Sequence, residues 1–290
     1  MKRLNQKGIS SFEKQKIKAR IIRFCVIFCS VITLGLQAFM LGYILIKGVP
    51  YLRPSLFAWK YTSDNCSVIP ALVNTIVTTF LALLIACPLG IGSAIYLVEY
   101  AKKGNKFVKI VRMTTETLTG IPSIIFGLFG MLLFVGFFHW GYSILSGSFT
   151  VAIMILPTIM RTTEEALLAV PDSFREGSFG LGAGKIRTVF KIVLPAAVPG
   201  ILSGVILATG RVVGETAALI YTAGTVAQIP ENVLGSGRTL AIHMYVLSSE
   251  GLHTNQAFST AVVLLILVIG INLLSSSLAK KISGVGNNGK

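Results

Sequence analysis

Ser173 to Pro195 reads S-F-R-E-G-S-F-G-L-G-A-G-K-I-R-T-V-F-K-I-V-L-P, and it is the one polar island of its size between two long apolar runs. Ser173 and Glu176 stand in the S-x-x-E spacing of a capping box, which predicts a short helix beginning there and stopped by Gly182 or Gly184. Gly177 and Ser178 follow the acid, and side chains this small leave the helix backbone open to close approach by another surface. The plainer reading of the same stretch is a polar loop between membrane spans.

The runs on either side decide the class of protein. Across 290 residues, 53% are hydrophobic and 13% charged, and the mean hydropathy is +0.76. That composition is too apolar for an ordinary soluble domain and predicts an integral, all-α membrane protein. The net charge of +15 does not mark a nucleic-acid binder, because the Lys and Arg flank apolar runs instead of lining one face of a soluble fold. Cys25, Cys29, Cys66 and Cys87 have neither metal-ligand nor paired-disulfide spacing and read as small packing residues.

Six spans are expected. A basic amino-terminal segment, 1–23, precedes an uncharged run from Phe24 to Ile46, longer than the apolar core of a signal peptide and so read as a retained first span. The second, Val68 to Val98, exceeds the length a bilayer needs and is expected to tilt or break near Pro88 and Gly90. The third, Leu118 to Phe138, opens on L-T-G-I-P-S-I-I-F-G-L-F, where Pro122 and the glycines interrupt or bend a helix. The fourth, Gly141 to Met160, ends at Arg161, and Thr162 to Glu165 offers a second capping box leading into a polar loop, 161–195. The fifth runs from Ile192 to about Tyr221, and the sixth from Ala257 to Ala279. The spans fill 24–282, and 283–290 is a short tail.

Charge sets the orientation. With both termini in the cytoplasm, twenty-one Lys and Arg fall on the cytoplasmic side against Lys47, Arg53, Lys60 and Arg238 outside. The positive-inside rule therefore favours this orientation over its inverse. It puts Ser173–Pro195 inside and the segment Gln228 to Gln256 outside.

One cation, Arg211, lies within a span, four residues before Glu215 in A-T-G-R-V-V-G-E-T-A-A. At about 100° per residue, Gly200, Gly204, Ala208, Arg211, Glu215 and Ala218 share one face of a continuous helix, with Leu202, Ile206, Val213 and Ile220 opposite. Charges at such a depth belong against protein or water, not lipid. Two roles are open: an ion pair that fixes packing, or an anion pathway in which Arg211 offers its planar fork and Glu215 prevents overly tight binding. Arg161, at the inner end of its span, is either a second cation on the route or an interfacial anchor. His139, His243 and His253 have no metal spacing and read as interface or outer-loop residues.

Glu176, Gly182, Ile192, Leu194 and Pro195 fall at the spacing E-x-x-x-x-x-G, nine residues, I-x-L-P, which resembles the EAA loop of ABC importer permeases. Gly177 and Ser178 replace the family's usual two alanines, which keeps the size and lowers helix propensity. The third-span segment, R-V-V-G-E-T-A-A and T-L-A-I-H-M-Y extend the likeness across the chain to the PstA-type permeases of bacterial phosphate importers. The resemblance implies a six-span MetI-like fold in the bacterial cytoplasmic membrane. It implies pairing with a second permease, an ATPase dimer that binds ATP and Mg, and an external phosphate-binding protein. Ser173, Glu176, Gly177, Ser178 and Gly182 become ATPase-coupling residues, and Arg211, Glu215 and Arg161 a phosphate pathway. No cofactor or metal is expected in this chain, nor an ATPase site: around Gly184-Lys185 a P-loop needs glycine and Ser or Thr where Phe179 and Ile186 stand. Alternatives are a permease for sulfate or molybdate, a gradient-driven transporter or channel, and a sensing or scaffold subunit.

Overall fold

The computed structural model describes the backbone of residues 2–102 and 104–282 and the side chains of 15–16, 18–102 and 104–277. The tail 283–290 and the side chains of the first basic residues and of Lys103, Lys280 and Lys281 lie outside the described residues. Among those described, the chain is all helical, with five helices long and apolar enough to cross a membrane and a sixth candidate made of two bent pieces.

Helix α1, Lys2–Gly48, carries the first apolar run. Its apolar window is unburied by the rest of the chain, and it is held near its end, where Gly48 meets Phe258 and Val262 and Tyr43 packs edge-on against Phe258. Two short 3-10 turns, Val49–Tyr51 and Pro54–Phe57, lead to α2, Ile69–Ile95. Pro88 lies inside α2 without ending it, so the expected break does not occur. A membrane helix tolerates an interior proline where its neighbours pack around the freed carbonyl. The helix instead loosens at Tyr96–Tyr100, a π-helical turn.

The third span is in two parts. Helix α3, Lys106–Thr119, and α4, Ser123–Gly130, which continues as a π-helix over Met131–Phe137, are bent by 103°. Pro122 is the N-cap residue of α4 with extended ψ of 140°, the backbone that a helix interior excludes.

Helix α5, Ile144–Leu168, is the central post: 67% of its apolar window is buried. Ser143 caps it by accepting from the Ser146 amide. It does not stop at Arg161. Thr162 is mid-helix, with its hydroxyl bonded back to the Thr158 carbonyl, so the expected capping box at Thr162 begins nothing.

After α6, Asp172–Gly180, the chain re-enters through α7, Lys185–Thr188, a π-helical turn Val189–Val193, and α8, Leu194–Val213. The fifth span ends there and not near Tyr221. A separate turn of helix, α9, covers Ala217–Ile220. Helix α10, Leu240–Glu250, occupies the segment expected to be an outer loop, and α11, Thr254–Ile282, is the last span.

Small residues set the spacing of this core. A Cβ on Gly200 would lie 2.6 Å from that of Ala166, and one on Gly204 would overlap Thr162, so α8 meets α5 almost backbone to backbone. Gly127 of α4 lies against Ala218 of α9 in the same way. In lipid, where apolar burial offers little drive, such close packing is what holds helices together. The resulting core joins Ala82, Phe126, Ile155, Ile159, Ala208, Leu219 and Ile242 from six helices.

Candidate coupling surface and transport pathway

Helix α6 contains Ser173, Glu176, Gly177 and Ser178. Its start differs from the capping-box expectation: the N-cap is Pro171, with no side-chain cap, and Asp172 supplies the acid of the first turn. Its end is as the glycine suggested. Gly182 has φ +81°, and its amide donates to Phe179 O at 2.9 Å while that of Ala183 donates to Ser178 O at 3.1 Å. Those two bonds are a Schellman close, whose left-handed position glycine fills without strain.

Arg175, which the sequence did not single out, anchors the helix. Its Nη2 donates to Glu99 Oε1 at 2.8 Å and to Leu167 O at 2.9 Å, and its Nη1 to Val170 O at 2.8 Å. One side chain thus ties α6 to the π-helical end of α2, to the Leu167 carbonyl in the last turn of α5 and to the Val170 carbonyl just past it. The Ser178 and Thr188 hydroxyls, 2.8 Å apart, add a link to α7.

The opposite side of α6 is uncovered. Glu176 and Gly177 are exposed, and a Cβ on Gly177 would meet nothing within 4 Å. An open groove of about 560 Å³ runs between Phe174, Gly177, Leu181, Arg187 and Ile192. Leu181 is 92% exposed and Ile186 68%. The apolar patch is rimmed by Lys185, Arg187 and Lys191, the makeup of an interaction surface.

The intramembrane charges are not arranged as periodicity implied. Because α8 ends at Val213 with Gly214 as its C-cap, Glu215 leaves the helical face. Its carboxylate turns to accept the Ala218 amide at 3.1 Å, capping α9, and it is buried. Arg211, in the last turn of α8, is exposed. Among the described residues, the ion pairs are Arg112 with Glu164, Arg161 with Glu165, and Arg175 with Glu99 and Asp172. Arg211 and Glu215 are therefore not an ion pair within this chain. Gly200, Gly204 and Ala208 do share a face, but it is spent on α5.

Arg161 is exposed and bonded to Glu165 through Nε at 3.1 Å. Beside it Arg112 reaches Glu164 at 2.5 Å, and the four charges line a cavity of about 340 Å³ between α3 and α5. Of the histidines, His243 is wholly buried in α10, its Nε2 3.2 Å from Cys66 O.

Residues 86–283 match the family described as binding-protein-dependent transport system inner membrane component. The chain belongs to this family. As such a component it is 34% identical over 244 residues to the probable ABC transporter permease protein YqgI of Bacillus subtilis, covering 77% of this chain and 81% of that one. It is 35% identical over 210 residues to the phosphate transport system permease protein PstA of Mycobacterium leprae, covering 71% and 68%. The fold matches that of a bacterial ABC transporter importing alginate, with a TM-score of 0.65 at 16% identity over 92% of this chain and 98% of that one. It also matches the inward-facing MetNI methionine transporter, with a TM-score of 0.58 at 22% identity over 74% and 94%. The protein is thus a multi-pass permease subunit of an ABC importer, a transport component with a MetI-like fold.

Proposed function

We propose that this permease carries inorganic phosphate inward across the bacterial cytoplasmic membrane, paired with a second permease and driven by an ATPase dimer that holds ATP and Mg. An external phosphate-binding protein delivers the cargo. Phosphate as cargo is supported by relatives named as phosphate permeases. Coupling is supported by one observation above the others: α6 is bolted by Arg175 to α2 and α5 while its outer face, with Glu176, Gly177 and the groove beside Gly182, stays open. A push on that face reaches two spans through the half-buried Arg175 guanidinium. ATP-driven closure of the ATPases would rock those spans between inward and outward access.

Arg211, exposed on α8 and in no ion pair among the described residues, is the cation this chain offers to an anion pathway shared with the second permease. Its planar donors suit phosphate oxygens. Glu215 shapes the break at the end of α8 rather than balancing that charge. Arg161, held by Glu165 at the basic end, lies where a departing anion would exchange one oxyanion partner for another. Nucleotide chemistry is assigned to the partner, and no cofactor or metal to this chain.

The solved structures of like fold import methionine and alginate, so the fold does not select the cargo. Uptake of radiolabelled phosphate in cells lacking the chain, restored by the native sequence and challenged with excess sulfate and molybdate, tests the assignment. Restoration insensitive to both competitors supports phosphate; displacement by either anion replaces it with that oxyanion.

A further inference from the structure

Among the described residues two arginines are withdrawn from solvent, and they are opposites. Arg175 fills its donors with a carboxylate and two carbonyls. Arg238 is 4% exposed, and its Nε and Nη2 have no acceptor. No ion pair joins it to any described acid. A buried guanidinium without counter-charge is heavily penalised, and a bound ion is one partner that relieves the penalty.

The surroundings define what is missing. The guanidinium lies over the Tyr61 ring, 4.5 Å from its centroid, a contact that uses the face of the group and leaves its edge free. Nε and Nη2 are the two donors of one edge, the fork that takes two oxygens of one oxyanion side by side. The nearby backbone is already committed: Arg238 N donates to Val226 O at 2.9 Å, and Arg238 O accepts from Asn74 Nδ2 at 3.2 Å. The next residue, Thr239, is the N-cap of α10 yet caps nothing with its side chain, and its buried hydroxyl has no partner. One turn on, His243 Nδ1 is also without a partner, but with Nε2 donating to Cys66 O it is an acceptor and adds no donor to the set. The start of α10, an eleven-residue helix, adds amide donors beyond that of Leu240, which Thr75 Oγ1 already takes at 2.8 Å, and a favourable field for negative charge.

We propose that Arg238, Thr239 and the first turn of α10 form an anion subsite that takes a single phosphate group, separate from Arg211. Its donors lie below the surface of the chain. The choice of phosphate as ligand rests on the proposed function, whereas the unfilled donors do not. The phosphate group could come from inorganic phosphate or from a lipid headgroup, and the test separates them.

The measurement is amide exchange of residues 239–242 in the assembled transporter, in maltoside detergent freed of phosphate and lipid. Inorganic phosphate is added in one arm and phosphatidylglycerol in the other. Several-fold slower exchange with inorganic phosphate, kept in Arg211→Gln and lost in Arg238→Lys, is the expected result. The Lys variant keeps the charge near Tyr61 and removes the fork. Slowing by the lipid alone supports the subsite with a headgroup as its source. Unchanged exchange in the native complex under both additions overturns the subsite, whether or not any variant assembles. Phosphate uptake by the same native complex reconstituted in proteoliposomes would leave the proposed function standing, and absence of uptake would remove it independently.

Discussion

Arg175 Nη2 lies 2.8 Å from Glu99 Oε1 in a pair whose side chains are 15% and 7% exposed. The two residues are 76 apart in sequence and belong to α6 and the end of α2. Because the same guanidinium also holds Leu167 O and Val170 O, α6 cannot shift without pulling on both helices.

Removing one partner from a part-buried pair strands the other, at a cost on the order of 1–3 kcal/mol. Arg175→Ala is expected to lower the thermal midpoint of the assembled complex and to leave ATP hydrolysis running with little uptake. Asp172→Asn, which removes an 85% exposed partner of the same arginine, is expected to change stability by less than about 0.5 kcal/mol. Paired measurements of ATP turnover and uptake check this. Equal loss of both activities in Arg175→Ala would point to a purely structural role.

Gly182 and Gly184 lie two residues apart and separate cleanly. Gly182 has φ +81° with open space around it, so Gly182→Ala is strained by conformation alone, by roughly 1–2 kcal/mol. Gly184 has φ −73°, and Gly184→Ala is expected to be nearly neutral. Amide exchange across α6 should rise in the first variant only.

A Cβ on Gly204 would overlap the Thr162 hydroxyl. Gly204→Val is therefore expected to wedge α8 from α5 at a cost of about 1–3 kcal/mol, seen as a lower midpoint and poorer assembly. Gly210→Val, at a position where a Cβ meets nothing within 4 Å, should preserve the fold of the chain.

His243, outside the six spans, is held down to about 3 by burial first and by the Arg238 charge second, against a smaller opposing pull from Cys66 O. Its folded value is below its ordinary value, so the unfolded chain takes up the proton first. Its contribution to stability is full above pH 6.5 and falls as pH drops toward about 3. Thermal midpoints of the native complex should decline between these limits more steeply than those of His243→Gln. Parallel profiles would exclude this histidine.

Much of this arrangement was legible in the residues. Pro122 announced the bend of the third span, Gly182 the end of α6, and the charge-free runs the helices themselves. Periodicity failed at Glu215 because it carries no record of where a helix stops: Arg211 and Glu215 share a phase only if α8 continues, and Gly210 and Gly214 were the available warning. Arg175 escaped because an arginine in a polar stretch reads as solvated, while its partner Glu99 is remote in sequence. Arg238 and His243 escaped for a related reason. Their segment mixes polar and apolar residues, and only the packing of Tyr61, Cys66 and Asn74 against α10 buries it.

The central claim is ATP-driven phosphate import through this chain, and it is tested most directly by uptake into proteoliposomes. Complexes containing native or Arg211→Ala permease would be loaded with ATP and Mg on the ATPase side and supplied outside with the binding protein and labelled phosphate. The account predicts uptake that needs ATP, ignores sulfate and an imposed ion gradient, and falls at least about tenfold in Arg211→Ala, the loss of about 1.4 kcal/mol expected for a charge-assisted contact. Uptake that persists without ATP and follows the ion gradient would contradict it.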